Sequence, residues 1–149
     1  MADSIREQII TKIVAKVKTV SSLQRVYRAY RNPLIDVDED PAVVVNDRGD
    51  QSTWHLRKAY EHVMTVDLQI VVHKGDDAER ATKVNNLLAD VQKVVEQNQT
   101  WDSLAISTEI RSNSPSIGEV VEPLGVDRLV LSIVYRVQET DPYTAQVVG

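Results

Sequence analysis

The sequence predicts an α+β domain: a mostly antiparallel sheet with two principal helices in the order α-β-β-β-α-β-β, including one long β-hairpin. Three observations carry that prediction. Tyr60, His62, Met64, Val66, Leu68, Ile70 and Val72 alternate without a break, which lays them on one face of a strand. An amphipathic helical stripe follows, running to about Gln97, and Leu129, Leu131, Ile133, Tyr135 and Val137 then alternate again. At about 3.3 Å per residue the first run spans roughly 40–45 Å, more than twice a usual strand. A strand that outruns its own domain bends or reaches toward another subunit. It points to an assembly protein rather than a catalyst.

The elements follow in order. Ser4-Ile5-Arg6-Glu7 reads as a capping box, with the Ser oxygen and the Glu carboxylate each closing a free backbone donor. Ile5, Ile9, Ile13 and Val17, widened by Ile10 and Val14, predict a helix over about 4–19. Leu23 to Tyr30 alternates, and Arg25, Arg28 and Arg31 mark it as an edge or exposed strand. Asp36-Val37-Asp38-Glu39-Asp40-Pro41 is an acidic loop. Ala42–Val45 reads as a short strand ended by Asn46-Asp47-Arg48-Gly49-Asp50, a turn to a second stretch, Trp54–Lys58, that feeds the long strand.

Gly75 and Asp76-Asp77 stop that strand and cap the second helix. Its apolar arc is Ala81, Val84, Leu87, Leu88, Val91, Val94 and Val95, with Lys83, Asn86, Asp90 and Lys93 outside it. Leu104, Ile106, Thr108 and Ile110 form another alternating strand. An irregular loop over 111–125 follows, long enough to suggest function or mobility. Val130 and Val134 make the other face of the last strand partly apolar, so it is expected in the centre of the sheet. Residues 1–138 are read as a single domain and 139–149 as a flexible tail.

Composition narrows the class. The 149 residues are 42% hydrophobic, with no Phe and no Cys. Disulfides, thiolate metal sites and thiol catalysis are excluded. No run approaches an 18-residue apolar span and no secretory pattern is present, so the expectation is a soluble protein made inside the cell, with no membrane partner. Net charge is −5, but residues 1–31 carry +5 and the remaining 118 carry −10. The acidic balance argues against general nucleic-acid binding. The basic segment is read as a solvated helix face and an Arg-protected edge, with a surface for the acidic part of a neighbouring copy as the sharper reading.

Chemistry-bearing patterns are scarce. His62 and His73 fall on opposite faces by parity, His55 lies elsewhere, and no His-x-x-x-His or Glu-x-x-His pattern occurs. Asp36-x-Asp38-x-Asp40 opens like a calcium loop, but its sixth and twelfth positions are Pro41 and Asp47 where Gly and Glu are required. Five scattered glycines supply no phosphate loop, and no Gly-x-Ser-x-Gly elbow exists. The expectation is no enzyme, no cofactor, and no catalytic or metal residue. Arg25-Val26-Tyr27-Arg28-Ala29-Tyr30-Arg31 interleaves bases and aromatics as a nucleic-acid-binding module does. That keeps a rival from a different class.

The stretches Asp40–Val45, Val66–Val72 leading to Leu87-Leu88, and Leu129–Val137 resemble the tail terminator family of tailed bacteriophages, the lambda-type minor tail protein and its relatives. The resemblance spans nearly the whole chain. It implies a homo-oligomeric ring, commonly a hexamer, that caps the finished tail tube and joins it to the neck connector. DNA would be only passing cargo. Contacts to a sheath terminator would follow if the tail is contractile. The location implied is the tail–neck junction of the virion, after assembly in the host cytoplasm. Another neck or baseplate connector is the alternative within the class.

On this reading Arg25, Arg28, Arg31, Tyr60, His62 and Met64 are candidate subunit-interface residues. Asp36, Asp38, Glu39 and Asp40 form a candidate lumen-facing loop, where like charge opposes DNA adhesion. Arg111, Ser114, Pro115, Glu119 and Glu122 belong to a candidate docking loop. The long strand or its hairpin is a candidate to extend a neighbour's sheet or overlay the tube.

Overall fold

A computed structural model of the chain describes residues 3–21, 25–28, 42–55, 59–72, 77–113, 125–138 and 141–145. Ser4 opens the first helix, α1 (Ile5–Val17); its side-chain oxygen accepts the Glu7 backbone N–H at 3.2 Å. This satisfies one of the donors that a helix start leaves free. Only half of the expected capping box forms, because the Glu7 carboxylate turns away to Arg28. The apolar stripe Ile5, Ile9, Ile10, Ile13 and Val17 is entirely buried.

The strands are β1 (Arg25–Arg28), β2 (Ala42–His55), β3 (Ala59–Val72), β4 (Ser107–Asn113), β5 (Gly125–Gln138) and β6 (Asp141–Ala145), with α2 (Asp77–Gln97) between β3 and β4. They form one sheet in the order β1-β2-β3-β5-β4, and β6 also pairs with β5. Every pairing is antiparallel except β1 with β2. The protein is therefore α+β, mostly antiparallel, with two helices among the described residues and a long β2–β3 hairpin.

Alternation in β3 works as the sequence indicates. Met64, Val66, Leu68, Ile70 and Val72 are fully buried, and their cross-strand neighbours Ile133, Leu131 and Leu129 are buried with them. Both helices pack on this face. In α2 the residues Val84, Leu87, Leu88, Val91 and Val95 are buried and Val94 partly so, whereas Ala81 at the start of the arc is exposed. β1 is an edge strand and β5 lies between β3 and the pair β4, β6.

Three segments differ from expectation. Asn46–Asp50 does not reverse the chain: β2 runs straight through it for 14 residues. Asp47 pairs with Val66 and Gly49 with Thr65, so Arg48 is the extra residue of a β-bulge. Gly49 has φ +112 and donates its N–H to Asp47 Oδ1 at 2.9 Å. The turn signals thus report a local glycine conformation and an Asp–backbone bond, which a bulge needs as much as a turn does. The two strands of the hairpin instead stay paired as far as His55 and Ala59. The C-terminal segment expected to lack structure supplies β6 over Asp141–Ala145, on the stretch of the β5 edge that β4 leaves open. The strand expected from Leu104 begins at Ser107, and Leu104 itself sits in a turn.

That turn is unusual. Trp101, Asp102 and Ser103 have φ values of 49°, 59° and 69°, a left-handed conformation that costs non-glycine residues about 1–2 kcal/mol each. Trp101 anchors it: the residue is fully buried, and its indole N–H donates to Thr108 Oγ1 at 2.8 Å. The Thr108 hydroxyl in turn donates to the Gln99 carbonyl at 2.7 Å. Ser103 is exposed. Ser103→Gly should therefore stabilise the protein by about 0.5–1 kcal/mol, relief of the left-handed strain exceeding the added freedom of the unfolded chain. Denaturant unfolding checks this; a loss of stability would show that the turn is not strained at that position.

Candidate functional site

The bulge in β2 organises two polar regions, one on each face of the sheet. Beyond it, Asp50 pairs across with Met64 and so points to the helix-covered face. There Asp50 Oδ2 accepts the Tyr135 hydroxyl at 2.6 Å and lies 3.4 Å from His62 Nδ1 and 3.6 Å from Arg6 Nη1. His62 and Tyr135 are cross-strand partners whose rings stack at 4.9 Å with 10° between their planes, a pairing that adds to burial. Arg6 reaches down from α1 to grip Asp47 with two hydrogen bonds of 2.8 Å. Burial, and then the bond to Asp50, push the Tyr135 phenol well above its usual range, so it stays a neutral donor.

The opposite face carries Asp67 in the middle of β3. It is buried, accepts Arg48 Nε at 2.6 Å and lies 3.6 Å from Arg128 Nη1. Arg136 meets Glu61 at 3.2 Å on the same face. An open depression of about 420 Å³ lies here, lined by Arg48, Gln51, Val63, Thr65, Arg111 and Ser132. Arg111 is itself the extra residue of a bulge in β4, between Ile110 and Ser112, and lies 3.7 Å from Glu109. The depression is therefore flanked by two bulge arginines with a floor of hydroxyls and one exposed valine. It presents hydrogen-bonding and cationic groups at the surface of the sheet. Among the described residues no group of three or more His, Asp or Glu could hold a metal ion.

The candidate interface residues separate. Met64 is fully buried in the core and cannot meet another subunit there, a correction to the sequence reading. Parity put it with Tyr60 and His62, but the helices cover the strand only from Met64 onward. His62 belongs to the Asp50 cluster, and Tyr60 is 38% exposed. Arg28 is exposed and ion-paired with Glu7. Only the backbone of Arg25 is described, and Arg31 lies outside the described residues. Asp36, Asp38, Glu39 and Asp40 also lie outside them, as do Ser114, Pro115, Glu119 and Glu122; of that docking loop Arg111 alone is placed, in β4.

The basic N-terminal segment meets acidic groups of its own chain. Besides Arg6–Asp47 and Arg28–Glu7, Lys12 lies 3.1 Å from Asp102, and Lys16 4.0 Å from the same residue. Three elements are thus tied to α1. The Arg28 guanidinium holds the Glu7 carboxyl below its ordinary value of 4.5. Burial of Asp47 opposes ionisation, but the Arg6 bonds and the Gly49 N–H outweigh it and leave that carboxyl below 3.8. Lys12, with Lys16, holds Asp102 low as well.

Carboxyls lowered in the folded state stabilise it above their unfolded values and lose that contribution as pH falls through the folded ones. Acidification from pH ~6 to ~2 should therefore loosen α1. The Arg6–Asp47 and Glu7–Arg28 pairs, being partly exposed, each contribute no more than about 1 kcal/mol. Far-UV ellipticity and the NMR shifts of α1 read this out; an α1 unchanged at pH ~2 would show that the pairs do not hold it.

Asp47, Asp50, Arg48, Asp67 and Tyr135 were not singled out by the sequence. One signal was present for Asp67: a carboxylate in the middle of the apolar run Val66–Val72, on a strand expected to be half-buried, needs a cation opposite. Compared with known protein families and with curated proteins, the sequence matches none.

Proposed function

We propose that this chain is a structural subunit of a bacteriophage tail, a terminator that assembles into a ring on the end of the tail tube and joins it to the neck. DNA passes through the ring as cargo. The observation that carries this reading is the β2–β3 hairpin, two strands of 14 residues each, backed along its whole length by the equally long β5. At about 3.3 Å per residue this three-strand blade is roughly 46 Å long. Met64, Val66, Leu68, Ile70 and Val72 are buried under the helices, whereas Tyr60 and Val63 in the hairpin half of β3, and Tyr143 on β6, are exposed. Exposed aromatics on a rigid blade suit contact with a large partner.

The charge distribution supports the same reading. Residues 1–31 carry +5, but Arg6, Lys12, Lys16 and Arg28 are neutralised within the chain. Such pairing uses acids as well as bases, so the chain keeps its net charge of −5, and that acidic balance suits the wall of a conduit that must not retain DNA.

Electron microscopy of the purified protein, with and without phage tail tubes, tests the proposal. Rings seated on tube ends are the expected result. Bare tube ends beside a monomeric protein would overturn it, and density at the baseplate instead would reassign the protein to a different connector.

A further inference from the structure

We propose that copies of this chain join through the two unlike edges of their sheets, the stretch of β2 centred on Asp50 pairing with the stretch of β4 centred on Thr108 in the next copy. The inference rests on the assembly reading above and names the surface that performs it. Coverage is the first argument. β1 pairs only with Ala42–Val45, so from Asn46 to His55 the far edge of β2 meets no other strand among the described residues. Asp47, Arg48, Gln51 and Ser52 along it are exposed. β4 uses one edge against β5, and its other edge likewise meets no strand among the described residues; Ser107 and Glu109 are exposed. Unpaired strand edges present free N–H and C=O groups that pair readily with another chain.

Register is the second argument. Thr108 lies opposite Ile133, which lies opposite Met64, which lies opposite Asp50. Ser107 reaches Gln51 and Glu109 reaches Gly49 by the same chain of partners. The two open edges therefore stand at one height of the sheet. β1 pairs only as far as the height of Val45, level with Asn113 at the far end of β4, outside both of these stretches.

Strand direction is the third. β2 and β5 run one way, β3 and β4 the other. When the next copy's β2 is set beside β4 in the same orientation, the antiparallel alternation continues unbroken. The contact is head-to-tail, and repeated it closes a ring or extends a filament.

The remaining edges are blunted. β1 has four residues and begins and ends in Arg, and β6 carries Pro142, which has no N–H to offer. The bulges at Arg48 and Arg111 bend both partners at neighbouring heights, which confines regular pairing to the few residues on the hairpin side of each.

The chain has no cysteine, so an introduced pair is unambiguous. Gln51→Cys and Ser107→Cys place thiols at matched heights on exposed positions, and residues facing each other across an antiparallel pair sit about 4.5–5.5 Å apart at Cα, within disulfide reach. Under oxidation the double variant should give a ladder of covalent oligomers on a denaturing gel, at least tenfold above either single variant. Dimers from Gln51→Cys alone would place β2 against β2 about a two-fold axis and overturn the inference. A double variant that sediments as an oligomer yet does not cross-link would overturn the edge contact and leave the assembly reading standing. A chain that stays monomeric at every concentration, tail tubes included, would remove both.

Discussion

Trp101→Ala should cost the fold about 3–5 kcal/mol, the range for emptying a buried tryptophan site. The side chain is fully buried, and it belongs to the same apolar cluster as α1, α2 and the inner faces of β3 and β5. The loss has a second component. Without the indole N–H, Thr108 Oγ1 loses its donor, and the left-handed turn over 101–103 loses the anchor that offsets its strain. Trp101→Phe separates the two: it keeps most of the volume, drops the hydrogen bond and should cost only about 1–2 kcal/mol. Denaturant unfolding of both variants measures this. A Trp101→Ala loss below about 1 kcal/mol would mean that the site collapses freely and that the turn is held by something else.

Asp50→Ala should be the other severe change, at about 2–3 kcal/mol. The bulge at Arg48 sets Asp50 opposite Met64, on the face that the helices cover. There it accepts the Tyr135 hydroxyl and lies beside His62 and Arg6. A hydrogen bond to a charged group contributes about 1.5–3 kcal/mol, and the buried Tyr135 hydroxyl would be left without its acceptor. Asp50→Asn is the control: it keeps an acceptor of the same shape and should cost only about 1 kcal/mol. Thermal melts with NMR of Tyr135 and His62 compare them. If Asp50→Ala and Asp50→Asn cost the same, the bond to Tyr135 does not hold this end of the sheet.

Both predictions concern residues that pattern reading passed over, and the reason is the same in each. Trp101 lies in a link between elements, where periodicity has no reach. Asp50 closes the run Asn46-Asp47-Arg48-Gly49-Asp50, whose chemistry signals positive φ and side-chain-to-backbone bonding. Those properties serve a reversal or a bulge equally, and the choice depends on whether a partner strand continues alongside. Here β3 continues, from Thr65 to Ala59. The same limit applies to charge. Arg6 and Asp47 are 41 residues apart, and Lys12 and Asp102 are farther still, so a segment that is basic by count is paired in space. Met64 and His62 share a strand parity yet differ in fate, because one lies under the helices and the other reaches the edge of their cover.

By itself the sequence determined the periodic elements: the long alternating strand, the stripe of α2 ending at Gln97, the Ser4 start of α1, the arginine-flanked edge and the central strand that carries Leu129 to Val137. These follow from burial repeating every two or 3.6 residues, a property each segment carries alone. Only the tertiary structure decided the parallel pairing of β1, the place where the hairpin turns, the strand made by Asp141–Ala145 and the partners of the charged groups. Each of those depends on which distant segment lies alongside, and hydrogen bonds and ion pairs between segments are settled by proximity in space rather than by spacing along the chain.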